Sequence, residues 1–178
     1  MAGQRLTDKT ALEEQTGSGD LYMIVDVNDT TGGSAGTSKK LDSKFVIQTD
    51  KFSLTNAEVK LLSSAASPKT LVSALSGYMI TVFNVTILTT YAADPEGSSN
   101  DLYLGFDTSS TSENWKQIRD MMNNETTDVT YVVSSQPPSG GSCSTTILNK
   151  PFVMWSNNPF DGGWSMDVYV TYCYTKIL

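Results

Sequence analysis

The chain has 178 residues, 39% of them hydrophobic, which suits one ordinary domain or one domain with an appended module. It holds no histidine and two cysteines, which removes Ser-His-Asp and Cys-His nucleophilic machinery, His-containing zinc sites and any Cys₄ site. The formal charge is −7, and residues 90–178 carry ten acidic against four basic side chains, a balance that repels phosphate and excludes nucleic acid as a partner.

In chain order, residues 1–15 show neither the apolar core nor the cleavage pattern of a signal peptide. No stretch approaches the roughly 18 apolar residues of a membrane span. The expectation is a soluble chain made in a cytoplasm, with Cys143 and Cys173 as free thiols. Gln4 to Gln15 reads as a polar arm. Leu21 to Val25 is a short apolar strand, Asn28 to Gly36 is turn chemistry, and Thr37 to Leu41 returns to complete a β-hairpin. Asp26, Asn28 and Asp29 raise calcium binding, but Thr30 and Thr37 occupy the fifth and twelfth EF-hand positions, so the tip reads as a solvated loop.

Arg5-Leu6-Thr7-Asp8, Ala11-Leu12, Gly19 to Asp26 and Thr37-Ser38-Lys39-Lys40-Leu41 together resemble an attachment module of tailed-bacteriophage fibre and virion structural proteins. In that module a Gly-Asp-Leu-hydrophobic run precedes a Thr-Lys-Lys hairpin.

The character changes at Phe52. Thr55 with Glu58 three residues on has capping-box spacing and predicts a short helix through Val59, Leu61 and Leu62, with a bent strand edge as the alternative, ended either way by Ser67-Pro68. Leu71-Val72 opens a strand, Ser76-Gly77 breaks it, and Tyr78 to Thr90 is the longest β-rich run. Within that run the apolar parity changes between Val82 and Phe83, which predicts either a β-bulge or a strand covered on both faces. Asp94 to Asn100 is a turn and Asp101 to Phe106 a strand. Ser112 as cap, Glu113 in the first turn, and Trp115, Ile118, Met121 and Met122 on one face predict a helix stopped by Asn123-Asn124, its stripe closing an open end of the β-structure. Strands are expected over Asp128 to Ser134, Thr146 to Leu148 and Phe152 to Trp155, with a loop at Gln136 to Ser144 and a turn-rich tip at Ser156 to Gly163. Trp164 to Tyr174 alternates cleanly.

These elements predict an all-β protein: an antiparallel β-sandwich or jelly-roll-like domain over residues 52–178 with one short helix, preceded by an arm and hairpin over residues 1–50. The collinear set Leu54 to Glu58, Ser67 to Val72, Gly77 to Val82, Asp101 to Leu104, Asn149 to Phe152, Gly162-Gly163 and Val168 to Tyr172 is similar to a β-sandwich family of phage head fibres and tail-associated proteins, with Leu75-Ser76 replacing its usual Pro-Gly turn. The resemblance implies a non-enzymatic virion component assembled in the bacterial cytoplasm, a homotrimer docked to capsid or tail proteins through residues 1–50, with no catalytic, cofactor or metal residues.

Phe83, Tyr169 and Cys173, off the main core parity, are candidate trimer contacts. An alternative is host-glycan recognition by Trp155, Asn157, Asn158, Phe160, Asp161 and Trp164, since sugar sites combine an aromatic face with fixed polar partners. A carboxylate hydrolase using Asp161 and Asp167 is a third reading, without evidence of a shared cleft.

Overall fold

Runs rich in Val, Ile, Thr, Tyr and Phe suit a pleated surface, and antiparallel strands dominate the computed structural model, which describes residues 21–31, 36–63, 68–106, 114–134 and 147–176. The chain divides into two units at Lys44/Phe45.

In the first unit, β1 (Leu21–Asp26) pairs antiparallel with β2 (Thr37–Asp42), from Leu21↔Asp42 to Asp26↔Thr37. The expected hairpin is therefore present. Its tip is made of side-chain turns: Asp26 Oδ1 accepts from Asn28 N at 3.1 Å and Asp29 Oδ1 from Thr31 N at 3.1 Å. Lys39 Nζ lies 2.9 Å from Asp26 and 2.8 Å from Asp29. Both carboxylates raised for calcium are thus engaged by one ammonium group.

Among its described residues the second unit has eight strands: β3 (Gln48–Leu54), β4 (Lys69–Val72), β5 (Tyr78–Ala93), β6 (Leu102–Phe106), β7 (Asn114–Ile118), β8 (Val129–Ser134), β9 (Phe152–Ser156) and β10 (Gly163–Lys176). The first pairs with the last, β3 with β10. Proceeding inward, β4 pairs with β9, β5 with β8 and β6 with β7. This is one long antiparallel hairpin rolled up, and the roll adds two further pairings, β10 with β5 and β9 with β6. The result is two four-stranded sheets, ordered β3-β10-β5-β8 and β4-β9-β6-β7, the topology of a jelly roll. The all-β sandwich expected from the sequence is the fold observed. Because β3 begins at Gln48, the sandwich starts ahead of Phe52, where the composition changes.

The core lies between the sheets. From β10 come Trp164, Met166, Val168, Val170 and Tyr172; from β5, Ile80, Val82, Val85 and Ile87; from β6 and β9, Leu102, Leu104, Phe106, Phe152 and Met154. Each such side chain contributes about 1.5–3 kcal/mol on burial. The parity change in β5 is a bulge: Tyr172 pairs with Val82 and Thr171 with Asn84, so Phe83 has no opposite number. The bulge keeps both halves of a 16-residue strand facing the core.

The Thr55–Glu58 capping box is formed and starts α1 (Asn56–Lys60), with Glu58 also 3.0 Å from Lys69 Nζ. Two sequence expectations are corrected. Residues 114–124 are not a helix: β7 gives way to a turn in which Asp120, Met122 and Asn124 adopt φ of 48°, 63° and 58°. Tertiary partners win over periodicity there. Asp120 N donates to Asp101 Oδ1, Met121 N to Asn100 O and Asn124 N to Glu96 O, while Met121 and Met122 are fully buried. Trp115 packs edge-on against Phe152, a core role; Ser112 and Glu113 lie outside the described residues. The strand expected at Thr146 to Leu148 is a turn over its described part, with Asn149 at φ 59° and its Oδ1 accepting from Gly77 N at 2.6 Å. The loop expected at Gln136 to Ser144, with Cys143, also lies outside the described residues.

Candidate functional site

The turn-rich tip where β5 ends and β10 begins holds an unusual concentration of buried polar chemistry. It starts from a backbone requirement. A Cβ on Gly163 would stand 1.9 Å from Ala93 O, and one on Gly162 would stand 2.7 Å from the Trp164 ring and 2.9 Å from Asp94 O. Only glycine lets the chain approach β5 this closely and fold Trp164 beneath it.

Into this tip runs Glu96, whose side chain is 0% exposed. Its Oε2 accepts from the backbone N–H groups of Asp161 at 3.0 Å and Gly162 at 3.1 Å, and its Oε1 accepts from Asn100 Nδ2 at 3.0 Å. Asn100 Nδ2 also donates to Pro159 O at 2.9 Å. Asp161 Oδ1 accepts from Gly97 N at 3.2 Å, and the two carboxyl groups hydrogen-bond each other. Burial raises the Glu96 carboxyl above its ordinary range, while the hydrogen bond from Glu96 lowers Asp161. Of the two, Glu96 is thus the carboxyl group disposed to keep a proton and Asp161 the one disposed to lose it. With its oxygens consumed by protein groups, Glu96 acts as a cross-link between the 94–100 and 157–163 segments.

The six residues considered for glycan binding divide sharply. Trp155, Phe160 and Trp164 are 3%, 1% and 0% exposed. Trp155 stacks on Tyr103 with ring centroids 5.7 Å apart, and Trp164 meets Tyr91 at 5.1 Å. None presents a ring face to solvent. Asn157 and Asp161 are exposed but hold the tip together, Asn157 Oδ1 accepting from Asp101 N at 2.9 Å. Only Asn158 is left as an exposed polar side chain of the set.

Asp167 is not beside Asp161. It lies within β10 and accepts from Ser53 Oγ at 2.6 Å, with Lys51 Nζ 2.9 Å away. Six residues of mostly extended chain separate the two carboxylates by roughly 15–20 Å, beyond the spacing of a hydrolytic pair. Both are lowered, so neither is held as an acid.

Tyr169 and Cys173 occupy the same alternate positions of β10, and Phe83 lies opposite the Thr171–Tyr172 step. The structure thus places the three trimer candidates along one stretch of sheet, each half-buried, with Lys51 Nζ 5.7 Å from the Tyr169 ring centroid. Sequence reasoning missed Glu96. Its partners at Asp161 and Gly162 are 65 and 66 residues away, and the only local sign was an acid in a turn.

Compared with known proteins, the chain matches no family model and no curated protein. Among solved structures it is similar to an acid-stable capsid structure of Helicobacter pylori bacteriophage KHP30, at 15% identity and a TM-score of 0.38, covering 74% of this chain and 91% of that one. It is also similar to the full particle of Israeli acute paralysis virus heated to 63 degrees, at 11% identity and a TM-score of 0.33, covering 96% of each chain.

Proposed function

We propose that this protein is a non-enzymatic structural subunit of a virion. The observation that carries the reading is the rolled-hairpin pairing of eight strands around a side-chain core. Jelly rolls serve as viral capsid domains, as lectins and as cupins, and fold alone does not choose among them. The residues do. A chain without histidine cannot supply the imidazole ligands of a histidine-based metal site in a barrel, and the rings that a sugar would stack on are enclosed in the core. What is left is a rigid block whose chemistry is burial and strand pairing.

In the finer form of this reading, the subunit is a head-fibre or tail-fibre component. Residues 1–50 dock it to capsid or tail proteins, and the sheet face bearing Phe83, Tyr169 and Cys173 brings three copies together. The phage resemblance of the hairpin and of the collinear sandwich motifs supports this form.

The test is antibody labelling of purified, nuclease- and protease-washed phage particles, with an antibody raised against the folded protein, read by electron microscopy. Label at regular positions on intact particles is the expected result. Label confined to the unassembled lysate fraction would sink the proposal. Light scattering on the isolated protein tests the trimer separately: a mass of three chains that Tyr169→Ala lowers supports it, and a mass unaffected by that change removes those contacts.

A further inference from the structure

Each sheet has two edges, and exposed edges are ordinarily blunted against pairing with another chain. Three of the four here are. β3 carries Asp50 and Lys51; β4 is four residues long, carries Lys69 and has a register shift; β7 carries Lys116 and pairs irregularly. β8 differs. Its sequence, Val129-Thr130-Tyr131-Val132-Val133-Ser134, has no charge, no proline, no glycine and an unbroken register with β5.

The direction of its free backbone groups can be read from two contacts. Val129 N donates to Thr89 Oγ1 at 3.2 Å and Thr89 Oγ1 donates to Val129 O at 2.9 Å, while Tyr91 N reaches Asp128 Oδ1 at 2.9 Å. Odd-numbered residues of β8 therefore face β5. By strand alternation the N–H and C=O groups of Thr130, Val132 and Ser134 face away, and among the described residues no strand pairs with them. Val132 is 68% exposed.

The edge matches a copy of itself, since antiparallel pairing of VTYVVS with VTYVVS opposes no like charges. The outward positions of β8 and its neighbour β5, Thr130, Val132, Ser134, Thr86, Leu88 and Thr90, are uncharged, whereas Lys51 and Asp167 lie across the sheet on β3 and β10. Two copies of a chain carrying −7 repel each other broadly and meet at least cost along this neutral stripe.

We infer that β8 is a self-association edge, at which two copies pair antiparallel about a two-fold axis through Val132 and fuse their sheets. Thr130 then faces the partner's Ser134, and the pairing forms about six backbone hydrogen bonds. The contact uses none of Phe83, Tyr169 or Cys173 and stands independently of the virion reading. A strip this narrow binds weakly in pairs and strongly when repeated in an array.

The experiment is sedimentation velocity on the full chain from about 10 µM to about 1 mM, a range that spans weak association. The wild type is compared with Val132→Pro, which removes one outward N–H and is tolerated on an edge, and with Val132→Lys, which keeps the N–H but adds charge. The wild type should form even-numbered assemblies as concentration rises; Val132→Pro removes one hydrogen bond from each copy, two per pair, and should weaken that step at least about tenfold, and Val132→Lys, which opposes two ammonium groups across the axis, should weaken it as well. Amide exchange on the wild type gives a readout that needs no variant: Thr130, Val132 and Ser134 should slow on concentration. A wild type that stays monomeric, association in threes alone, folded variants that associate like the parent, or exchange at those amides that ignores concentration would each overturn the inference.

Discussion

Replacing Glu96 separates its hydrogen-bonding role from its proton. In Glu96→Ala the backbone N–H groups of Asp161 and Gly162 lose their acceptor in a closed site, whereas Asn100 keeps Pro159 O. Two orphaned donors cost about 1–3 kcal/mol each, so the substitution should destabilise the fold by about 2–6 kcal/mol. For a body of this size that lowers Tm by on the order of 10 °C. Glu96→Gln keeps an acceptor for both N–H groups and a donor for Asp161, losing only the Asn100 bond, about 1 kcal/mol.

The pH dependence then tells the two apart. Glu96 is raised above 4.5, so the folded chain holds a proton that the unfolded chain has released, and stability falls as pH rises from 4.5 through the raised value. Asp161 is lowered from 3.8, so its contribution is present above 3.8 and is lost as pH falls below it. The pair's own contribution is therefore greatest near pH 4, between the two. Glu96→Gln lacks this loss, since amides do not ionise, so its deficit against wild type should shrink as pH rises above 4.5. Melting curves by circular dichroism at several pH values measure this. Parallel wild-type and Gln profiles above pH 5, or an Ala variant within about 3 °C of wild type, would refute the shared-proton reading.

Gly163→Ala should cost several kcal/mol, about 3 or more, because its methyl group meets Ala93 O at 1.9 Å and the backbone must move; chemical denaturation reads it. Trp164→Ala should cost about 3–5 kcal/mol in the same assay, and the still-folded fraction should behave as wild type on a glycan array. Thr55→Ala should cost about 1 kcal/mol by removing the α1 cap. Glu58 is lowered to about 2, so its stabilising effect is present above 4.5 and is lost as pH falls toward 2, an acid-side slope that Glu58→Gln should flatten in acid-denaturation curves.

The strands were legible where one face is buried and the other wet. In β10, Met166, Val168, Val170 and Tyr172 alternate with Asp167, Tyr169 and Thr171, and even the bulge at Phe83 was written as a change of parity. The helix over residues 112–124 was misread because Trp115, Ile118, Met121 and Met122 satisfy helical spacing while serving a strand and a left-handed turn. What fixed that turn was Asn100, Asp101 and Glu96, about 19 to 28 residues earlier, and no local window contains them. The burial of the glycan candidates Trp155, Phe160 and Trp164 turns on a related point. Aromatic residues grouped around a turn look the same in sequence whether they face outward or inward, and the glycine pair at 162–163 turns Trp164 inward.

The rolled-hairpin pairing also sets an order on synthesis. β10 is inserted between β3 and β5, so β3 has no sheet partner and β5 has only β8 until this 14-residue strand has left the ribosome. A ribosome-bound chain lacking it exposes two unsatisfied borders rich in β-formers, the species most prone to clump, and the sequence separation to be closed predicts slow maturation. Trimming at the C-terminal end should therefore be far more damaging to recovery of soluble material than equal trimming ahead of residue 45.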